Sequence, residues 1–411
     1  LDKLELMTER AQSTLPAVIS IFLTLGSLLI FSVGLGTPTQ LNFDEAHYVP
    51  AAKTLLGGEK AINREHPPLG KYLIAAGIGM FGDQPRGWRA MSTLFGALLI
   101  LSSFWLGHAL WRGDLVLALS GALLTLFNFL TYVQARIGML DSFMIPLFFA
   151  GFAFFTRDWI QDRLGNRATI AAGVLFGLAL ACKWAALYPI VLCLLLCMLQ
   201  KGIKTAAVKL ALPLMGSYLS CFLPYAFLRE NPVYPWQIIA EHIEMVQLQL
   251  RVGTQHPYLS SWTSWPLMIR PIWYAFDREG GLVRAVLLVG NPVILWGGLL
   301  ALLYCADQGL RRRNPVALLI SLLYVSLYFC WGLFPRTTTF FYYYVPAATV
   351  LSFAIPEAIR CLLSDPRLRI RTLIVVCAVA LTFFLYFLPV LSGLPIPAES
   401  FTRWAWFRSW I

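Results

Sequence analysis

A chain of 411 residues is long enough for two or three soluble domains, but 58% hydrophobic against 13% charged residues, with a mean hydropathy of +0.67, excludes that division and makes lipid the solvent for most of it. The formal charge of +11 does not mark a nucleic-acid binder, because no basic segment is interleaved with aromatics in a soluble module and Lys and Arg punctuate the apolar runs instead. The eight cysteines, Cys182, Cys193, Cys197, Cys221, Cys305, Cys330, Cys361 and Cys377, are dispersed, nearly all within apolar runs and without metal-ligand spacing, so neither a disulfide framework nor a zinc site is expected.

Runs such as 15–36, 206–228 and 373–391 can cross roughly 30 Å of hydrocarbon at about 1.5 Å per residue. Unpaired backbone groups are costly in lipid, so continuous runs of this length imply helices. Breaks at charges, Pro and Gly give about eleven expected spans: 16–36, 88–111, 115–134, 142–156, 168–183, 185–200, 206–228, 285–305, 315–333, 340–360 and 372–391. The chain is therefore expected to be an all-α polytopic membrane protein. Lys3 and Arg10 precede a first run that lacks a small-residue cleavage site, which predicts a retained span rather than a signal peptide.

An odd number of spans puts the termini on opposite sides. With the N-terminus inside, the connections 112–114, 157–167, 201–209, 307–314 and 360–371 are cytoplasmic, and each carries Lys or Arg, as the positive-inside rule requires. Two long loops, 37–87 and 229–284, then share the outer side. The first contains a turn at Gly57 and Gly58 and two amphipathic segments, 44–56 and 69–81, expected on the membrane surface. No internal repeat or flexible linker is visible, so residues 1–411 are expected to form one membrane domain.

The outer loops hold the unusual polar chemistry. Asp44 and Glu45 stand side by side where the first span ends; on a helix they diverge by about 100°, so one can act as a base while the other orients an acceptor or a cation. Capping by Asp44 with Glu45 in the first turn is the structural alternative. In the run from Asn63 to Tyr72, Pro67 and Pro68 fix an extended approach beside His66, and Lys71 offers a point charge suited to phosphate or to lipid headgroups. Arg89 opens the second span, and Arg136 and Asp141 bracket a turn between the third and fourth; charges near membrane depth are paired, functional or snorkelled to the interface. The second loop carries His256, Tyr258 and a dense set of tryptophans, an interfacial belt or a stacking platform for a sugar. Arg336, before a Thr- and Tyr-rich stretch, suits a phosphate through its planar donor fork. Nucleotide hydrolysis and serine-type acyl transfer lack their motifs. Asp44, Glu45, His47, His66, Asp141 and His256 lack a tight ligand spacing; no metal site is assigned, although a divalent cation remains allowed.

In this order the pieces resemble a known family. Phe-Asp-Glu-Ala-His-Tyr at 43–48, Glu-His-Pro-Pro-Leu-Gly-Lys at 65–71, Gly-Trp-Arg at 87–89, Ala-Arg-Ile-Gly-Met-Leu-Asp-Ser at 135–142, His-Pro-Tyr at 256–258, Arg-Pro-Ile-Trp-Tyr at 270–274 and Pro-Arg-Thr-Thr at 335–338 are similar to the protein O-mannosyltransferases. Bacterial members of that family are polyprenyl-phosphate-dependent enzymes of the GT-C membrane fold. The resemblance implies Asp44 as catalytic base, Glu45 beside it in acceptor or active-site organisation, and Asp141 as the second acidic position. It also implies a functional role for Arg89, expected in lipid-phosphate or substrate binding. Lys71, Arg136 and Arg336 are expected in phosphate or active-site electrostatics, and His66, His256 and Tyr258 in substrate binding. The expected partners are a polyprenyl-phosphate-linked sugar, mannose by family, an extracytoplasmic protein with Ser/Thr hydroxyls, and membrane lipid, with no nucleic acid; the expected location is the bacterial plasma membrane with the site on its outer face. Eukaryotic members place a large soluble module in the second long loop, where this chain has about fifty residues. A GT-C transferase acting on lipid A or a glycan, and a lipid-linked sugar flippase, are the alternatives at this point.

Overall fold

The computed structural model describes residues 2–251, 253, 256–333 and 338–411. Its helices in chain order are α1 (Asp2–Ser32), α2 (Glu45–Leu56), α3 (Leu69–Phe81), α4 (Pro85–Leu110), α5 (Leu115–Phe127), α6 (Phe129–Gln134), α7 (Asp141–Ile160) and α8 (Arg167–Cys182). They continue with α9 (Trp184–Lys201), α10 (Ile203–Phe227), α11 (Ile238–Arg251), α12 (Val293–Arg311), α13 (Pro315–Leu333), α14 (Phe341–Leu362) and α15 (Pro366–Ser392). Among the described residues nine helices are long and apolar enough to cross a membrane: α1, α4, α7, α9, α10 and α12 to α15. The expected spans 115–134 and 168–183 hold shorter apolar helices instead. The first of these is broken at Asn128, whose extended backbone ends α5 and whose side chain accepts from the Leu130 N–H to start α6.

Burial separates the helices into two sets. Most residues of α14, α7 and α4 are buried in protein, whereas α1 presents Ile21, Phe22, Leu25 and Leu29 outward. Outward apolar faces are what lipid contact requires, and the inner helices approach closely where small residues allow it. A Cβ on Gly77 of α3 would lie 2.4 Å from the carbonyl oxygen of Gly87 on α4, and one on Gly177 of α8 would lie 2.2 Å from that of Leu214 on α10. Asp114, Asn166, Asn314 and Asp365 cap α5, α8, α13 and α15 with their side chains, so four connections satisfy helix N-termini locally.

The fold departs from an all-helical expectation in the second long loop. Residues 285–288, assigned above to a span, belong to β2 (Leu282–Leu288), which pairs antiparallel with β1 (Ile272–Glu279). The span starts only at Val293, after Gly290, Asn291 and Pro292. Side-chain burial alternates through the first part of β2, the period of a strand with one covered face, and the apolar content alone concealed it. β3 (Pro395–Pro397) adds to β2 from beyond α15. Near the C-terminus Trp410 is buried, donating to the Met268 carbonyl at 2.6 Å while its own carbonyl accepts from Trp273 at 2.7 Å.

Candidate active site

The site begins where α1 ends. Helix C-termini leave carbonyls without partners, and Arg136 supplies donors for them: its guanidinium reaches the carbonyls of Phe31 (2.8 Å), Val33 (2.5 Å) and Gly34 (3.2 Å) and lies 5.0 Å over the Tyr132 ring. Arg89 continues the same work along the chain. Its donors go to the carbonyls of Leu35 (3.3 Å), Pro38 (2.7 Å) and Gln40 (3.0 Å), and two N–H groups form a fork onto Glu45, both at 2.8 Å. That uses all five guanidinium N–H bonds. Glu45, fully buried, also accepts from the backbone N–H of Asn42 (3.0 Å) and Gly138 (2.8 Å). Residues 31–45 are thus laced onto two arginines.

This lacing gives the basic residues partners within the protein. Arg89 and Arg136 donate to backbone carbonyls and, for Arg89, to Glu45. Lys71 is buried too, donating to the carbonyls of Asn63 (2.6 Å) and His66 (2.8 Å), so it closes the proline turn. Burial pushes its pKa down to about 7. Next to it Arg64 pairs with Glu241 and, at 2.9 Å, with Glu244, fastening the first loop to α11, while Gln249 of α11 reaches the carbonyl of Glu65 and the ring of His66.

Glu45 inward leaves Asp44 facing the other way. Phe43 makes the turn with a left-handed φ of 50°, costly for an aromatic residue, and its ring is held among His256, Tyr274, Phe340 and Tyr342 at centroid distances of 5.0 to 5.7 Å. Half-buried Asp44 accepts from the Tyr342 hydroxyl at 3.1 Å and the Tyr48 hydroxyl at 3.4 Å. Burial raises its pKa above the ordinary carboxylate value; the positive charge of Lys183 and the Tyr342 hydrogen bond oppose that rise, and the charge of Asp141 adds to it.

Asp141 opens α7, almost fully buried, and accepts from the Lys183 ammonium at 2.6 Å. Lys183 stands at the extended break between α8 and α9 with its Nζ 4.9 and 4.8 Å from the ring centroids of Tyr342 and Tyr343. Asp44, Asp141, Lys183 and the tyrosines at the start of α14 therefore form one charged and aromatic cluster. His256 joins through Phe43, stacks near Tyr258 at 5.7 Å and accepts the Tyr258 N–H at 3.2 Å. Arg336 lies outside the described residues. Among the described residues no three His, Cys, Asp or Glu side chains come together as a metal-binding set.

Lys183 is absent from the residues singled out in the sequence, whereas Tyr48 lies in the 43–48 motif and Tyr342 and Tyr343 in the Tyr-rich stretch after Arg336. The signal for Lys183 was present: a single lysine in the otherwise apolar stretch 168–200, where an uncompensated charge is too costly to stand without a partner.

Comparison with known proteins agrees with this architecture. The chain matches the family model of the dolichyl-phosphate-mannose-protein mannosyltransferases over residues 21–223 and that of the C-terminal four-transmembrane region of protein-O-mannosyltransferase over residues 236–410. The polyprenol-phosphate-mannose–protein mannosyltransferase of Mycobacterium tuberculosis is 27% identical over 480 residues, covering 97% of this chain and 90% of that one. The S. cerevisiae protein O-mannosyltransferase Pmt1-Pmt2 complex, solved bound to the sugar donor, superposes with a TM-score of 0.80 at 15% identity, over 96% of this chain and 92% of that one. ArnT from Cupriavidus metallidurans, solved bound to undecaprenyl phosphate, gives 0.60 at 16% identity, over 92% and 77%. The fold is that of the GT-C membrane glycosyltransferases, and the chain is a multi-pass membrane protein. Within that class it belongs to the protein O-mannosyltransferase family.

Proposed function

We propose that this protein transfers mannose from a polyprenyl-phosphate lipid to a Ser or Thr hydroxyl of an extracytoplasmic protein at the bacterial plasma membrane, with Asp44 as the base. The observation that carries the assignment is the position of Asp44: held from below by the Glu45–Arg89 lacing, bonded by Tyr342, and set in one cluster with Asp141 and Lys183. One membrane domain spanning 1–411 carries it, with the loops 37–87 and 229–284 forming its rim. The basic connections at the other end of the bundle support an outward-facing site.

In the proposed reaction the acceptor oxygen attacks the anomeric carbon as the bond from that carbon to the phosphate oxygen breaks. The bonding pair stays on the phosphate, and the hydroxyl proton passes to Asp44. A phosphate leaving group needs little acid assistance, so one carboxylate base suffices, and a single displacement inverts the anomeric centre. The raised pKa of Asp44 brings it toward operating pH, where a base is both ionised and basic enough to work. Asp141 holds Lys183, which in turn helps keep Asp44 ionised; Glu45 and Arg89 position the loop.

The test is transfer by the purified protein from a polyprenyl-phosphate mannose donor to Ser/Thr peptides, with products identified by mass spectrometry. A hexose added to the peptide hydroxyl with inverted configuration is expected. Asp44→Asn is expected to lose transfer by roughly 10²- to 10⁴-fold while folding normally. Wild-type rates in that variant would remove Asp44 as the base, and a product on lipid A or on a glycan with none on the peptide would overturn the acceptor assignment.

A further inference from the structure

A large cavity among the described residues lies away from Asp44. It has a volume of about 1130 Å³ and runs between α4 and α7. Arg89 and Asp141 mark the Asp44 end of these two helices, and the cavity is lined from Leu98 onward on α4, closing on Arg112, Arg157 and Arg163 beyond the far ends. From Arg89 to Arg112 is about 34 Å along a helix axis at 1.5 Å per residue, the thickness of a hydrocarbon core.

Its two ends differ in chemistry. Leu98, Leu101, Trp105, Ala150, Ala153 and Phe154 line the inner length, with Trp105 and Phe154 exposed. The outer mouth carries the exposed guanidiniums of Arg112, Arg157 and Arg163, with His108 beside them. Among the described residues none of these three arginines has a carboxylate within ion-pair distance, and the nearby acids are engaged elsewhere. Asp158 is buried and accepts from Thr169 (2.8 Å) and Asn166 (3.2 Å), Asp162 pairs with Lys201 (2.8 Å), and Asp114 caps α5. Three cations converge on a groove without a counterion in the protein, above a wall that only hydrocarbon solvates well.

We infer that this groove between α4 and α7 is a binding site for an anionic phospholipid of the leaflet opposite the Asp44 cluster, its phosphate on Arg112, Arg157 and Arg163 and its acyl chains along the apolar wall. Basic mouths between membrane helices recognise such headgroups, and guanidiniums offer phosphate a planar fork of donors. The dimensions select a lipid of one leaflet. From Leu98 to Arg112 is about 21 Å of helix, enough for headgroup and acyl chains down to the midplane of a hydrocarbon core about 30 Å thick.

The experiment uses the purified full chain, delipidated in detergent and titrated with phosphatidylglycerol, phosphatidylcholine, undecaprenyl phosphate or inorganic phosphate, with bound lipid read by native mass spectrometry and Tm by thermal unfolding. Retention of phosphatidylglycerol at least tenfold above phosphatidylcholine is expected, and in the triple variant R112Q/R157Q/R163Q it falls to the phosphatidylcholine level. The control R311Q/R312Q/R313Q removes the same formal charge from another connection and is expected to retain the lipid. Equal loss in the control would reduce the site to general surface charge. Equal retention of phosphatidylcholine, a Tm rise with inorganic phosphate matching that with phosphatidylglycerol, or preferential retention of undecaprenyl phosphate would each overturn the proposal. Should the triple variant fail to fold, the four-ligand comparison on the wild type decides alone.

Discussion

Removing the Arg89 guanidinium tests whether the arginine serves the backbone or the donor phosphate. In Arg89→Leu, Glu45 keeps its charge in a fully buried position without its ion-pair partner, which costs about 3–5 kcal/mol. The carbonyls of Leu35, Pro38 and Gln40 lose their donors as well, and any left unsatisfied adds roughly 1–3 kcal/mol. Arg89→Lys keeps the charge but offers three N–H bonds for five acceptor contacts, so at least two charge-assisted bonds vanish, a loss of about 3 kcal/mol or more. Against a total stability of roughly 5–15 kcal/mol both are severe. The double variant Arg89→Leu/Glu45→Leu removes the stranded charge and recovers part of the loss, but not all, because the N–H groups of Asn42 and Gly138 then lack their acceptor. Thermal unfolding in detergent, followed by fluorescence-detected size exclusion, measures stability, and donor KM is measured on the folded fraction. The expected result is lost stability with an unchanged donor KM in Arg89→Lys. Wild-type stability with a raised donor KM would refute the framework role and restore Arg89 as a phosphate ligand.

Lys183→Met leaves Asp141 buried without its cation, a loss of about 3–5 kcal/mol. The same change removes a charge that lowers the pKa of Asp44; since the base works only when ionised, the acid limb of kcat/KM is expected to move to higher pH, and an unmoved limb would break the link between the two residues. Tyr342→Phe deletes the 3.1 Å bond to the Asp44 carboxylate, which also holds that pKa down, so the acid limb shifts in the same direction with little loss of stability. A pH profile on the same peptide substrate checks it. Gly77→Ala places a methyl 2.4 Å from the Gly87 carbonyl oxygen and must push α3 from α4, costing about 1–3 kcal/mol by overpacking; an unchanged melt would show that the helices separate freely.

Most helices were legible because hydropathy over about twenty residues is a strong, local signal, and the pieces that failed are those whose physics is not local. Residues 282–288 carry apolar side chains that suit a helix or a covered strand equally, and only pairing with 272–279 and 395–397 decides between them. The first outer loop was recognisable as unusual, and Asp44 and Asp141 stand together in the structure, yet the partners of the arginines in the same motifs could not be read from the sequence. A charge in a sequence does not say whether its partners are a ligand or the protein's own carbonyls. Arg89 and Arg136 reach carbonyls fifty or a hundred residues away, from Leu35 to Gln40 and from Phe31 to Gly34, contacts that no spacing announces. Lys183 was overlooked for the opposite reason: a single charge in an apolar run has no neighbouring polar residues to form a motif, though its cost in lipid made a partner such as Asp141 necessary.

The separation of these cations follows from what a base needs. A guanidinium bonded directly to Asp44 would stabilise the carboxylate so strongly that it would hold a proton poorly, and a base that cannot take the proton does not help the hydroxyl attack. Among the described residues Arg89 is bound to Glu45, while Asp44 accepts from two tyrosine hydroxyls and lies near the more distant Lys183, itself balanced by Asp141. In the proposed reaction the adjacent carboxylates divide two tasks that one residue could not combine: Glu45 satisfies the arginine that fixes the loop, and Asp44 serves as the base. Lys71, Arg89 and Arg136, by contrast, give their donors to backbone carbonyls and, for Arg89, also to Glu45, and so hold the chain around this pair in place.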